Sequence, residues 1–431
     1  MWSVLLVFAA TYILIAARRL SILPIGRPAG ALAGACGMVL LSVVDPGAGL
    51  TPEAAFAAIE PNTIGLLLGM MLLSASLDMA GVFEHAAAWV ARRRLSPVRL
   101  LYLVTLGSGL ASAVLLNDSV CVMLAPLVDR TARRAGLDRV PYLLALAMGA
   151  NAGSALTLAG NPQNMLVGHL SGISYRTYLL EAGPAALIGL AVTAVMLHLL
   201  LRRRIAARTP SLDLAPEPER DAAPARDPAQ GAAAPPGSAR PNAAVPLACI
   251  AVVSLLFVLG ANLAWTAIGG ATAAILLHRR DANGLFERVS WTVLVFFGAL
   301  FIVVAGLQKT GMPEQALRAV SPYLPAGPAT GVLGLSIAML VGCQIVSNVP
   351  FILLAESYIR SQPDPHLAWI ATALVSTLAG NFTLLGSVAN IIVVETVGAE
   401  REIGFRSYAK VGVPVTLAST AAALLWLLLV R

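Results

Sequence analysis

Long apolar runs separated by short polar stretches dominate the chain, and a helix needs about 17 to 25 such residues to cross a bilayer. Runs near 2–17, 27–45, 62–80, 140–170 and 174–201 read as spans, and a second set follows near 243–260, 263–278, 290–308, 366–394 and 411–430. Two further regions, 100–129 and 330–358, are too long for one span and are interrupted in the middle by polar residues. Each reads as two half-length arms of about 10 to 14 residues, which suits re-entrant rather than spanning segments. The arms turn at Asn117-Asp118-Ser119 and Ser347-Asn348-Val349. Non-helical backbone at such a depth persists only where protein or a polar cavity satisfies it. The pattern predicts an all-α polytopic membrane protein of about ten transmembrane spans plus two re-entrant hairpins.

The two halves of the pattern repeat. Ala80-Gly81 and Glu84 in the first half match Thr310-Gly311 and Glu314 in the second, and the hairpin tips follow at the same offset of 230 residues. Then comes Thr157-Leu-Ala-Gly160-Asn161-Pro162-Gln-Asn164 in one half and Thr383-Leu-Leu-Gly386-Ser387-Val-Ala-Asn390 in the other, a shared T-L-x-G-x-x-x-N. Five spans per half is an odd number, so the second copy sits upside down relative to the first, the arrangement of many secondary transporters. The expected organisation is a first inverted repeat over 1–201, a linker over 202–242 and a second inverted repeat over 243–431.

Composition sharpens this picture. With 58% hydrophobic and only 12% charged residues, a chain of 431 residues lacks the polar surface to cover a soluble globule. The net charge of +7 could suggest nucleic acid, but the basic residues sit in short clusters between apolar runs, which reads as topology. With the N-terminus outside, only Arg176, Lys309, Arg318, Arg360 and Arg431 fall on the outer side. Arg18-Arg19, Arg92-Arg93-Arg94 and Arg202-Arg203-Arg204 are inside. The outer loop from Asp45 to Pro61 carries Asp45, Glu53 and Glu60 and no base. Thr209–Asn242, with eight prolines, reads as a disordered cytoplasmic linker. The run from Trp2 to Ala17 reads as a retained first span in a bacterial inner-membrane protein. Cys36, Cys121, Cys249 and Cys343 all lie in apolar stretches, where a free thiol packs as a small hydrophobe.

Candidate chemistry concentrates at the interruptions. A broken membrane helix presents free N–H groups at one half-helix and free carbonyls at the other, suited to anions and cations respectively. Each half offers two breaks, the hairpin tip and the T-L-x-G-x-x-x-N segment. In the latter, Gly160, Pro162 and Gly386 permit an unwound turn, as Pro350 limits helix just past the second tip. Asn117, Asp118, Ser119, Asn161, Asn164, Ser347, Asn348, Ser387 and Asn390 are the candidate residues for substrate and coupling ion. Asp118 and Asp78 are the acids well inside apolar stretches, and an ionisable side chain at that depth is by default functional. Asp118 is expected to take up H⁺ or to ligate Na⁺; the alternative is that it only caps the second hairpin arm. Asp78 reads as an interfacial acid. Asn161 and Ser387 either line the site or only satisfy broken backbone. No resident metal or cofactor is expected beyond a bound Na⁺ or H⁺. No Walker loop is present, so an arsenite-pump reading needs a separate ATPase subunit or the membrane potential. No catalytic constellation marks an enzyme.

L-L-N-D-S-V-C-V-M-L-A-P-L at 115–127, A-G-N-P-Q-N at 159–164, S-N-V-P-F at 347–351 and L-L-G-S-V-A-N at 384–390 resemble the ion transporter superfamily. That group includes arsenite permeases, sodium-coupled di- and tricarboxylate carriers, citrate carriers and sodium/proton antiporters. The resemblance implies that Asn117, Asp118, Ser119, Ser347 and Asn348 stand where carboxylate carriers hold Ser-Asn-Thr motifs that bind substrate and frame sodium sites. Here Asp118 replaces a neutral Asn, and Val349-Pro350 replaces the expected Thr, so the pattern departs from the carboxylate carriers. The resemblance also implies a homodimer working by an elevator-type shift. The scaffold would lie near 2–80 and 243–308, and the mobile parts near 100–201 and 327–430. The expected function is cation-coupled transport of a small anion or oxyanion, with arsenite or antimonite efflux and Na⁺/H⁺ exchange as alternatives.

Overall fold

The computed structural model describes residues 2–16, 26–93, 95–206, 242–278, 282–320 and 327–430. Arg18, Arg19, Arg94 and the predicted linker from 207 to 241 lie outside the described residues. Among those described, the chain is all helical. The first half comprises α1 (Trp2–Ala16), α2 (Arg27–Val44), α3 (Pro52–Ala57), α4 (Pro61–Met79), α5 (Val82–Arg92), α6 (Pro97–Val114), α7 (Asn117–Arg134), α8 (Val140–Ser154), α9 (Pro162–Ser171) and α10 (Tyr175–Ala206). The second comprises α11 (Ala244–Val258), α12 (Leu263–His278), α13 (Asn283–Phe286), α14 (Trp291–Gln308), α15 (Met312–Val320), α16 (Pro328–Val346), α17 (Asn348–Arg360), α18 (Pro365–Ala379), α19 (Val388–Thr396) and α20 (Phe405–Leu429).

Among the described residues, seven helices, α2, α4, α6, α10, α14, α16 and α20, are long and apolar enough to cross a membrane, and α1, α11, α12 and α18 are shorter apolar helices. The apolar regions 140–170 and 366–394 are not continuous. Each is a pair of shorter helices, α8–α9 and α18–α19, separated by an unwound turn at its T-L-x-G-x-x-x-N segment. The hairpins form at both expected places, but their arms run 18, 18, 19 and 13 residues. Three of the four exceed the half-length expected, because helix geometry continues through polar residues that end an apolar count, as α7 does to Arg134. Likewise α10 extends to Ala206, so residues 202–206 are helix rather than linker.

Packing follows the repeat. In each half the first two helices pair, α1 with α2 and α11 with α12. Each half then exchanges a partner with the other, α2 against α14 and α4 against α12. Gly69 makes the second crossing close, since a Cβ there would meet the Ala267 backbone. Within the hairpin region α6 lies on α8, α16 on α18, α7 on α19 and α17 on α9, and α10 pairs with α20. The α6–α8 contact is nearly backbone to backbone. A Cβ at Gly153 would collide with Gly109, and one at Gly149 with Thr105, so this seam admits only hydrogen.

The length of α10 shows that the hairpins enter from opposite sides. Near its start, Glu181 meets His366 at 2.9 Å, beside the base of α17–α18; near its end, Arg204 meets Asp138 at 2.7 Å, beside the base of α7–α8. Those two positions are about 35 Å apart along a helix rising about 1.5 Å per residue, slightly more than the hydrocarbon core of a bilayer, about 30 Å thick. Each base is held by an arginine. Arg139, 8% exposed, pairs with Asp129 at 3.0 Å and with Glu402, and donates to the carbonyls of Val397 and Gly398 in the α19–α20 loop. This guanidinium holds the Glu402 carboxyl below the usual carboxylate range. On the other side, Arg360 donates to the Leu170 carbonyl at the end of α9 and lies over the Trp369 ring. Asp78 pairs with Arg288 at the end of α4, the surface role expected for an interfacial acid.

Candidate functional site

The four breaks meet. One cavity of about 40 Å³ is lined by Asn117 and Asp118 from the first tip, Ser347, Asn348 and Val349 from the second, Pro162 and Gln163 from the first unwound turn, and Gly386, Ser387 and Val388 from the second. Each group includes the first residue or residues of a helix, so the N-termini of α7, α9, α17 and α19 all face this space. Phe296 and Phe297 of α14 complete the wall. Among the described residues, no Arg or Lys lines it.

The tips are built differently. The first spends two extended residues, Leu115 and Leu116, between its arms, and the Asn117 N–H donates to the Gly160 carbonyl at 3.1 Å, tying tip to break. The second turns through Ser347 alone, at φ 71° and ψ 162°. It is the one non-glycine residue with positive φ among those described, and such backbone costs on the order of 1–3 kcal/mol and collects at functional sites.

Asn117 and Asn348 are 4% and 6% exposed, yet their amide oxygens have no hydrogen-bond partner among the described residues. A buried acceptor left unmade is costly and calls for a donor or a cation. Asp118, in the first turn of α7, makes no hydrogen bond or ion pair among the described residues. With the Ser347 and Ser387 hydroxyls, this is an all-oxygen donor set, the type that suits H⁺ or a hard cation such as Na⁺.

Several predicted site residues serve the scaffold of the site instead. Asn164 and Asn390 do not line the cavity. Each is 0% exposed and turns its amide back on its own unwound segment: Asn164 donates to the carbonyls of Ser154 and Thr157, Asn390 to those of Gly380 and Thr383. These are the same two positions in each repeat, ten and seven residues back, so both asparagines close a broken turn. Asn161 caps α9 by accepting from the Asn164 N–H at 2.8 Å, and donates to Ser154 and Thr377. Ser387 does both jobs, capping α19 and lining the cavity. Ser119, Gly160 and Pro350 do not line it. Gly160 is where two backbones pass, since a Cβ there would meet the Ser154 and Ser112 carbonyls. Cys121 and Cys343 are buried in separate apolar clusters and do not line the cavity.

Behind the cavity lies a hub that sequence reasoning missed. Asn151 of α8 accepts from Asn117 Nδ2 and Ser387 Oγ, both at 3.0 Å, and donates to the amide oxygens of Asn381 and Asn390, both at 2.9 Å. One side chain thus joins the first tip to the second unwound turn. Asn381 in turn donates to the Met148 carbonyl. Gln344 of α16 ties in the second hairpin, donating to Ala379 and accepting from Thr383. The available signal was the repeat itself: Asn151 and Asn381 stand 230 residues apart, the offset of the tips.

Residues 4–379 match the citrate transporter family, CitMHS. The silicon efflux transporter LSI3 of Oryza sativa subsp. japonica is 32% identical over 450 residues, covering 93% of this chain and 92% of its own. The putative transporter arsB of Dictyostelium discoideum is 25% identical over 490 residues, covering 92% and 86%. Among solved structures, the Alcanivorax borkumensis YdaH transporter shares the fold, with a TM-score of 0.56 at 12% identity over 99% of this chain and 96% of its own. Helices of membrane length, paired inverted breaks and a match over most of the sequence agree: this chain is a multi-pass membrane transporter of the citrate transporter family within the ion transporter superfamily.

Proposed function

We propose that the chain is a secondary active transporter that carries a small oxyanion, or its oxyacid, across the bacterial inner membrane, coupled to H⁺ or Na⁺ at Asp118. The observation that carries this reading is the convergence of four helix N-termini on a cavity without a basic side chain. Each N-terminus presents up to about half a positive charge and free N–H groups. Binding by backbone dipoles rather than by a fixed guanidinium favours release as well as capture, which a carrier requires. Asp118 opposes an anion in the same space unless its charge is neutralised. Occupancy by a cation therefore raises anion affinity, and the reverse holds by linkage.

Size narrows the cargo. About 40 Å³ accommodates a few water molecules and suits a compact oxyanion better than a tricarboxylate. Efflux of a neutral metalloid hydroxide such as arsenite, antimonite or silicic acid is the second reading. It is supported by the unpaired acceptors of Asn117 and Asn348, which match O–H donors, and by the likeness to the silicon efflux transporter LSI3. Deletion and overexpression strains, screened for arsenite, antimonite and sodium tolerance and for silicate, dicarboxylate and citrate flux, separate the readings. The expected result is a change in oxyanion or metalloid flux. Citrate or dicarboxylate transport alone would refute the size argument, and altered sodium tolerance alone would leave Na⁺/H⁺ exchange.

For the motion, α1, α2, α4, α11, α12 and α14 form the scaffold of a homodimer, and the hairpins with α8–α10 and α18–α20 move against it. Phe296 and Phe297 then belong to the fixed wall, and the breaks slide past them. A disulfide between cysteines placed at Phe297 and Val349, which line one cavity, is expected to arrest transport. Full transport by the cross-linked protein would rule the sliding out.

A further inference from the structure

We propose that the groove between α5 and the first hairpin is a binding site for an anionic phospholipid from the leaflet on the arginine-rich face of the protein. Helix α5 is amphipathic and links α4, on the scaffold side, to α6, the first hairpin arm. Two adjoining cavities lie along it, of about 350 and 530 Å³, sharing Ala87, Val90, Leu100, Leu127 and Thr131. The first is almost wholly apolar and runs along α6 from Leu100 to Ala111. That stretch spans about 16 Å of helix, the depth of one leaflet of a hydrocarbon core about 30 Å thick. The second opens at the hairpin base and adds Arg130 and Arg134, with Glu84 as its one acid among the described residues.

The two arginines are available. Arg130 uses only Nε, on the Pro126 carbonyl, and Arg134 makes no hydrogen bond or ion pair among the described residues. Their neighbours Arg133 and Arg139 are by contrast committed to Asp129. Arg93 lies over the Trp89 ring on the same helix, adding positive charge and an aromatic surface at headgroup level. A slot one acyl chain deep with a basic mouth at the bilayer edge matches an amphiphile with an apolar tail and a phosphate head, and basic pockets between membrane helices take anionic lipid headgroups. The lipid would stand between the scaffold and the first hairpin.

Native mass spectrometry of the full chain in detergent, with phosphatidylglycerol or phosphatidylcholine added, tests this. Phosphatidylglycerol is expected to be retained preferentially. The double variant Arg130→Gln/Arg134→Gln is expected to lose about twenty-five-fold in apparent affinity, about fivefold per arginine, while Arg99→Gln behaves as wild type. Gly107→Trp provides the second arm: Gly107 lines the groove and a Cβ there meets nothing within 4 Å, so the ring is expected to occupy the groove and expel both lipids, with unchanged thermal unfolding as the check that the fold is kept. Equal retention of the two lipids by wild type, retention unchanged in both variants, or displacement of phosphatidylglycerol by inorganic phosphate at equal concentration would each overturn the proposal.

Discussion

Asp118→Asn is expected to yield a protein that folds and inserts normally but whose flux no longer follows a pH or Na⁺ gradient. The carboxylate faces the cavity and makes no hydrogen bond or ion pair among the described residues, so the substitution breaks no structural contact. Asparagine keeps the shape and the capping ability at a helix start. What it removes is the charge that holds a cation. Losing one charged partner at a desolvated site costs on the order of 2–5 kcal/mol, so cation-driven uptake into proteoliposomes should fall at least about thirtyfold. Imposed pH and Na⁺ steps provide the measurement. The same substitution tests the capping alternative, because a residue that only caps α7 would be replaced by Asn with little change. Wild-type dependence on both cations in Asp118→Asn would remove the coupling role.

The breaks were legible in the sequence because they violate a strong local rule. A polar cluster inside an apolar run is conspicuous, and finding one twice at one offset, Asn117-Asp118-Ser119 and Ser347-Asn348, made the inverted repeat visible. The direction in which a side chain points was not legible. Asn164 and Asn390 carry the same residue type in the same motif as a site residue would, but the unwound turn leaves two carbonyls within reach, and each amide satisfies them before any ligand can. Asn117 differs only because its oxygen is left over after its nitrogen is used. Phe296 and Phe297 lie in an unbroken helix with no local signal, and they reach the cavity because α14 packs on α17, the arm that starts at the second tip. Arginine positions informed topology by their number, whereas the role of Arg139 depends on Asp129 and Glu402, 10 and 263 residues away.

Asn151 is the residue whose loss should propagate furthest. Its amide oxygen accepts two hydrogen bonds and its amide nitrogen donates two, the full capacity of the side chain. Asn151→Ala strips an acceptor from Asn117 and Ser387 and a donor from Asn381 and Asn390, all in an interior where each unmet group costs about 1–3 kcal/mol. A loss of about 4 kcal/mol in thermal or denaturant unfolding is expected, together with loss of transport, because the first tip and the second unwound turn are no longer held in register. Asn151→Asp separates the two halves of the role. Protonated in this buried position, it keeps an acceptor for Asn117 and Ser387 and donates one bond where the amide donated two, so one of Asn381 and Asn390 loses its donor. With one unmet acceptor in place of four unmet groups, the Asp variant should keep more stability than the Ala variant. Asn151→Ala within about 0.5 kcal/mol of wild type, with normal flux, would show that the four breaks hold their positions without this hub.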